Sequence, residues 1–191
     1  MAHLVARNIK LETPHYLVRT LEPADAERDW GDWLQDPQTL RNLNARPTRH
    51  TQQDLLAYIA QFNRVTSHAL GIFKEDSDRL IGIRTIYIDP ARNDFVMNVL
   101  IGASDARHQG ARTETRDVIY RFFFEELGLD AARCTVVSTN DAILRVLKGN
   151  GWAHERTDKK ASATGQGFVE LLSFRLTREV WRRKEAEKNA Q

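Results

Sequence analysis

Arg107-His108-Gln109-Gly110-Ala111-Arg112-Thr113-Glu114 is the stretch on which the reading of this chain turns. It follows the apolar run Phe95-Val96-Met97-Asn98-Val99-Leu100-Ile101, which reads as a strand. It precedes Val118-Ile119-Tyr120-Arg121-Phe122-Phe123-Phe124, which reads as a helix. A glycine-containing turn from strand into helix leaves backbone N–H groups free at the positive end of the helix, a natural seat for a phosphate or diphosphate. One glycine in such a turn is common, and by itself a plain turn accounts for it. The flanking sequence has to decide.

Upstream, Tyr16-Leu17-Val18-Arg19-Thr20-Leu21 alternates between Pro14 and Pro23 and reads as a first strand. Pro23-Ala24-Asp25-Ala26-Glu27 opens a helix with acids in its first turn, predicted to run through Trp30, Trp33 and Leu34 and to stop at Asp36-Pro37. Residues 38–50 are polar and read as irregular. Thr51-Gln52-Gln53-Asp54 is a helix start of the capping-box type, with Leu55, Leu56, Ile59 and Phe62 on one stripe. Strands are then predicted at Leu70–Lys74, Leu80–Ile88 and Asp94–Ile101. Their connections are too short for crossover helices, so they form an antiparallel meander.

Downstream, the helix after Gly110 carries Val118, Ile119, Phe122, Phe123 and Leu127 inward and ends at Gly128. Core packing against a sheet explains its aromatic residues. Cys134–Ser138 is the next strand, Thr139-Asn140-Asp141 starts a short helix ended by Gly149 to Gly151, and Trp152–Arg156 and Phe168–Leu176 are two closing strands. Residues 159–167 read as a mobile polar link. Thr177 caps a charged last helix. Its Trp181-Arg182-Arg183-Lys184 run is followed by Glu185 and Glu187, so it reads as a solvated face.

The 191 residues suit one domain spanning 1–191, large enough for a full core. A net charge of +2 gives no argument for nucleic acid, and no apolar run approaches a membrane span. The amino-terminal residues lack the apolar core of a secretion signal. The single cysteine, Cys134, excludes an internal disulfide and a cysteine-rich metal site. A cytoplasmic protein with no metal, membrane or nucleic-acid partner is the expectation.

Two pieces combine: the strand, turn and helix around Gly110, and a strand ending at Asn140 followed by a short helix and Asn150-Gly151-Trp152. In this order and spacing they resemble the GNAT superfamily of acyl-CoA N-acyltransferases, and within it the branch of the ribosomal-protein N-terminal acetyltransferases. Leu11-Glu12-Thr13 with Leu17-Val18-Arg19, the pair Thr113-Glu114, and Glu125-Glu126-Leu127-Gly128-Leu129 are similar to segments of that branch. The family's phosphate loop has Arg or Gln, two residues, Gly, one residue, then Gly or Ala. Arg107 and Gly110 fit, whereas Arg112 stands where a tiny residue is usual. Ile143 and Leu147 also depart from the pattern, Leu147 replacing a frequent tyrosine general acid.

The resemblance implies an α/β fold of α+β type, a single mixed, mostly antiparallel, splayed sheet with helices on both faces. It implies acetyl-CoA as acyl donor and a primary amine as acceptor: a protein N-terminus, an amino sugar or another small amine, whether peptide or small molecule. A homodimer is compatible with it. Backbone N–H groups near Leu100 and Ile101 would polarise the thioester carbonyl. Arg107, His108, Gln109, Gly110, Ala111, Arg112 and Thr113 would hold the diphosphate, and Asn140 the cofactor backbone or a water. Asp94, Asn98, His50 and His108 are the candidate proton relays. Trp33 and His50 would line the acceptor groove. A GNAT-like domain that binds without catalysing is the alternative that Arg112 keeps open. A Rossmann-type nucleotide fold is disfavoured by the meander.

Overall fold

The computed structural model describes residues 4–107, 109–163 and 167–190. Eight strands form one sheet in the order β1-β2-β3-β4-β5-β6-β8-β7. They are β1 Lys10–Glu12, β2 Tyr16–Thr20, β3 Ser67–Lys74, β4 Leu80–Asp89, β5 Asp94–Ile101, β6 Ala131–Val137, β7 Ala153–Ala161 and β8 Phe168–Thr177. Every junction is antiparallel except β5–β6, which is parallel and only three residues long, from Asp94↔Ala131 to Val96↔Arg133. The sheet therefore forks after Val96. Past that point β5 stays on β4, and β6 stays on β8.

The helices are α1 Pro37–Leu43, α2 Gln52–Ala60, α3 Ala111–Arg121, α4 Asp141–Gly149 and α5 Arg178–Asn189. Phe95 and Met97 from β5, Ile86 and Ile88 from β4, and Ile119, Phe123 and Phe124 from the α3 segment form the larger core, joined by Leu147 of α4 and Trp181 of α5. The opposite face carries Leu55 and Ile59 of α2 with Trp30, Ala69 and Phe73. No helix among the described residues is long and apolar enough to cross a membrane.

Four departures from the expected elements have local causes. The helix predicted from Pro23 is a 3-10 turn, Pro23–Glu27, because Arg28 turns extended at φ −77° and ψ 155°. Trp33–Gln35 is a separate 3-10 turn. Asp36-Pro37, read as a stop, is instead a start. The Asp36 carboxylate accepts from the Thr39 N–H at 2.8 Å, and the helix ends at Asn44 in the left-handed region. The closing strand β7 runs on to Ala161, into the predicted link. Trp181 is buried against Phe124, with ring centroids 5.2 Å apart, so the last helix is docked as well as solvated. Arg182 of that run pairs with Glu125.

Candidate functional site

The fork is built by strand register. Gly102 N–H donates to Ile81 O beyond the Ile101↔Gly82 pair. In an antiparallel ladder, even-numbered β5 residues then bond β4, and odd-numbered ones point away from it. Leu100 is thus held by Ile83, whereas the backbone groups of Met97, Val99 and Ile101 face the fork. The same count on β6, from Ser138 N–H donating to Glu170 O beyond Val137↔Leu171, turns Thr135 and Val137 toward the fork. Past the last β5–β6 pair, the backbone groups of Val99 and Thr135 face the gap with no partner among the described residues. An elongated, amide-bearing ligand is the kind that satisfies both edges.

The mouth of the fork is the turn into α3. Gly110 adopts φ +85° and ψ −12°, and a Cβ there would have no heavy atom within 4 Å. The chain can take this left-handed turn without strain because the residue is glycine. Thr113 and Glu114 N–H both donate to Gly110 O. The N–H groups of Gly110, Ala111 and Arg112 have no acceptor among the described residues. Three donors at a helix start make an anion seat. His108 lies outside the described residues.

The loop is fastened from several sides. Tyr16 Oη donates to Gln109 O at 2.8 Å, and Gln109 Nε2 donates to Asp105 O at 2.7 Å. The Arg107 guanidinium donates to Asp36 Oδ2 and Thr39 Oγ1, both at 3.0 Å, and at 3.4 Å to the carbonyls of Ile101 and Gly102. Arg107 thus ties α1 to the end of β5, and its backbone N–H is taken by Ser104 O. Hydrogen bonds from Thr39, first from its backbone, together with Arg107, hold the Asp36 carboxyl below its ordinary range. Glu114 turns back to His15, accepting from its N–H at 2.9 Å.

Beneath the first turn of α3 lies Arg84, 1% exposed. It donates to Arg112 O at 2.6 Å and to Thr115 Oγ1 at 3.0 and 3.2 Å, and lies 3.4 Å from Met97 Sδ. The Arg112 side chain is exposed and has no ion-pair partner among the described residues. Desolvation lowers its pKa somewhat.

Asn140 sits at the C-terminal end of β6 as the N-cap of α4, its Oδ1 accepting from Ile143 N–H at 3.4 Å. Its side-chain amide N–H groups have no partner among the described residues and remain to donate. Leu147 is buried. Asn98 is exposed, 3.3 Å from Thr85 Oγ1, on the face opposite α3 and two residues past the split. Asp94 is at the closed end, buried, with Arg133 Nε 2.6 Å away and Arg92 Nε 3.4 Å away. Both partners hold it at the closed end, away from the opening of the split. Trp33 lies on Gly102 so closely that a Cβ there would fall 1.7 Å from its ring. His50 lines a different cleft of about 350 Å³ with Arg28, Asp29, Asp32 and Arg49, which contains no residue of β5 or β6. The structure thus brings Leu100, Ile101, Gln109, Gly110, Ala111, Arg112, Thr113, Trp33 and Asn140 to one end of the fork, with Asn98 along it. Asp94 and His50 lie elsewhere.

A family model described as Acetyltransferase (GNAT) domain matches residues 15–153. The chain belongs to the GNAT acetyltransferase family. As such it is an acetyl-CoA-dependent N-acetyltransferase. Solved structures agree in fold. A ribosomal-protein-alanine acetyltransferase from Vibrio fischeri is 16% identical, with 91% of this chain and 98% of that one covered and a TM-score of 0.73. A spermidine N-acetyltransferase from Vibrio cholerae, in complex with CoA and spermine, is 12% identical, with 88% and 99% covered and a TM-score of 0.75. A GNAT-family acetyltransferase from Bacillus anthracis is 15% identical, with 90% and 99% covered and a TM-score of 0.73. A search of curated protein sequences found no match.

The sequence reading missed Tyr16, Asp36, Arg84 and Thr115. Asp36-Pro37 carried the helix-start signal that would have exposed one of them. Tyr16, Arg84 and Thr115 look like ordinary strand and helix residues until the layers stack.

Proposed function

We propose that this enzyme transfers the acetyl group of acetyl-CoA to a singly charged primary amine, with a peptide N-terminus as the best-fitting acceptor. The observation that carries the acceptor half is the pairing of the carboxylates at the closed end of the fork and along β7. Asp94 and Glu155 are both held by Arg133, and Asp158 by Arg156. A polyamine needs unpaired carboxylates along its length, whereas a peptide amine presents one charge and a polar backbone.

In this reading the diphosphate sits on the N–H groups of Gly110, Ala111 and Arg112, and the thioester arm lies between β5 and β6. The thioester carbonyl is polarised by the fork-facing N–H of Val99, the first one past the last β5–β6 pair. Asn98, with Thr85 beside it, holds the incoming amine or its water at the opening of the split. The bound ammonium first gives one proton to water at the opening; the neutral amine then attacks the carbonyl carbon, the C–S bond breaks, and the second proton passes through water to the thiolate. Asn140 donates to the cofactor arm from the β6 side. Most of the gain is orientation of two bound reactants. With Leu147 where a tyrosine acid is frequent, no side-chain acid is assigned to the thiolate.

The test is acetyl transfer to a short peptide with a free N-terminal alanine or serine, run beside glucosamine and spermidine. The peptide should show the highest kcat/KM. Spermidine exceeding it would overturn the acceptor reading, and no turnover of any amine would overturn the catalytic one.

A further inference from the structure

A buried guanidinium normally has a carboxylate. Arg84 has none. Its hydrogen-bond acceptors are the Arg112 carbonyl, the Thr115 hydroxyl and the Met97 thioether, all neutral. Its neighbours across the sheet are Leu70 on β3 and Val99 on β5. The titratable groups facing it from α3 are Arg112, Arg116, Asp117 and Tyr120. Asp117 is the one acid among them, and it is already paired with Arg116 and Lys188, each at 2.7 Å. Tyr120 is buried and stays protonated, since burial raises its pKa. The cluster therefore carries excess positive charge in a low-dielectric layer, and burial lowers the Arg84 pKa to about 9. An arginine keeps its proton, so the consequence is electrostatic cost to the fold.

The placement of that charge gives it a use. Thr115 Oγ1 donates to Ala111 O at 2.6 Å, and Arg84 donates to Arg112 O at 2.6 Å. Both bonds brace the first turn against the sheet: the peptide of Ala111 O carries the Arg112 N–H, and the peptide of Arg112 O carries the Thr113 N–H, which donates to Gly110 O. The charge lies directly behind those donors, where it adds to the positive end of the helix.

We propose that Arg84 is a positioning residue whose buried, uncompensated charge, held under the first turn of α3, is matched by the diphosphate of the cofactor. This rests on the reading that the diphosphate sits at Gly110–Arg112. Arg84 itself does not touch the ligand. It braces the turn that carries the donors and supplies a field, so the free protein is destabilised in a way the dianion relieves.

The test uses Arg84→Met, Arg84→Gln and Arg84→Lys, with acetyl-CoA and with acetyl-pantetheine, a thioester donor that lacks phosphates. Arg84→Met without ligand should melt at or above the wild-type temperature, because an unpaired buried charge has been removed. Its acetyl-CoA affinity should fall about tenfold or more, the scale of one charge-assisted contact, while kcat/KM with acetyl-pantetheine stays within about twofold. Arg84→Gln keeps the hydrogen-bonding shape and loses the charge, so it should show the same selective loss even if the Met variant does not fold. Arg84→Lys should recover most of the affinity. Equal losses with both donors, or unchanged acetyl-CoA affinity in the neutral variants, would overturn the proposal and leave the cofactor reading standing. A wild-type protein that bound no acetyl-CoA would overturn both.

Discussion

Gly110 separates the loop's backbone geometry from its role in binding, and two substitutions divide the effects. The residue adopts φ +85°, and its missing Cβ would meet nothing within 4 Å. An alanine there clashes with no neighbour, so its cost is backbone strain of about 1–2 kcal/mol for an L residue in the left-handed region. Loss of glycine's freedom in the unfolded chain offsets about 0.5–1 kcal/mol of this. The net, about 1 kcal/mol, should lower Tm by about 2–4 °C for a domain of this size. An asparagine tolerates the left-handed region, so Gly110→Asn should melt close to the wild type. Both side chains enter the open space beside three N–H groups that have no acceptor among the described residues. Losing one charge-assisted bond there costs about 1.5–3 kcal/mol, so the KM for acetyl-CoA should rise about tenfold to a hundredfold. Differential scanning fluorimetry and steady-state kinetics read the two effects separately. If Gly110→Asn kept the wild-type KM for acetyl-CoA, the cradle would have to be moved away from this turn.

Three further outcomes follow from particular contacts. Arg112→Ala should weaken acetyl-CoA binding modestly and flatten its salt dependence in calorimetric titrations, since the Arg112 side chain has no ion-pair partner among the described residues to lose. Trp33→Ala should raise the acceptor KM more than that for acetyl-CoA, whereas His50→Ala should move neither by more than about twofold, because it lines a cleft apart from the fork. Asp25 is 3% exposed; burial raises its pKa, but Arg19, the Glu22 N–H and Arg28 outweigh that and leave it lowered from 3.8. A lowered carboxylate stabilises the fold above its unfolded pKa and loses that contribution as pH falls. Stability should therefore drop below about pH 4 in the wild type and less steeply in Asp25→Asn, which should itself cost about 3 kcal/mol at neutral pH in denaturant titrations.

The order of strands and helices from Tyr16 onward was legible because periodicity and caps are local signals. The Thr51 capping box formed with Asp54, and Gly128 ended its helix at φ +71°. The turn at Gly110 was legible for the same reason: a left-handed residue before a helix is a property of a few consecutive bonds. Helix α1 was missed although Asp36-Pro37 marked it, because a proline reads equally well as a stop or as a first helical residue.

What only the tertiary structure decided depends on register and layer stacking. The fork opens at Val96 because just three residue pairs join β5 to β6, and pairing between strands about 35 residues apart leaves no mark in either one. Parity along β5 then aims Ile101 into the fork and commits Leu100 to Ile83, a distinction that one residue of slip would reverse. Arg107 was legible as a loop residue, but its use as a strap to Asp36 requires α1 to be folded beside it. Arg84 was not legible at all: an arginine in a strand is ordinary, and only the helix laid across it makes its charge a buried one.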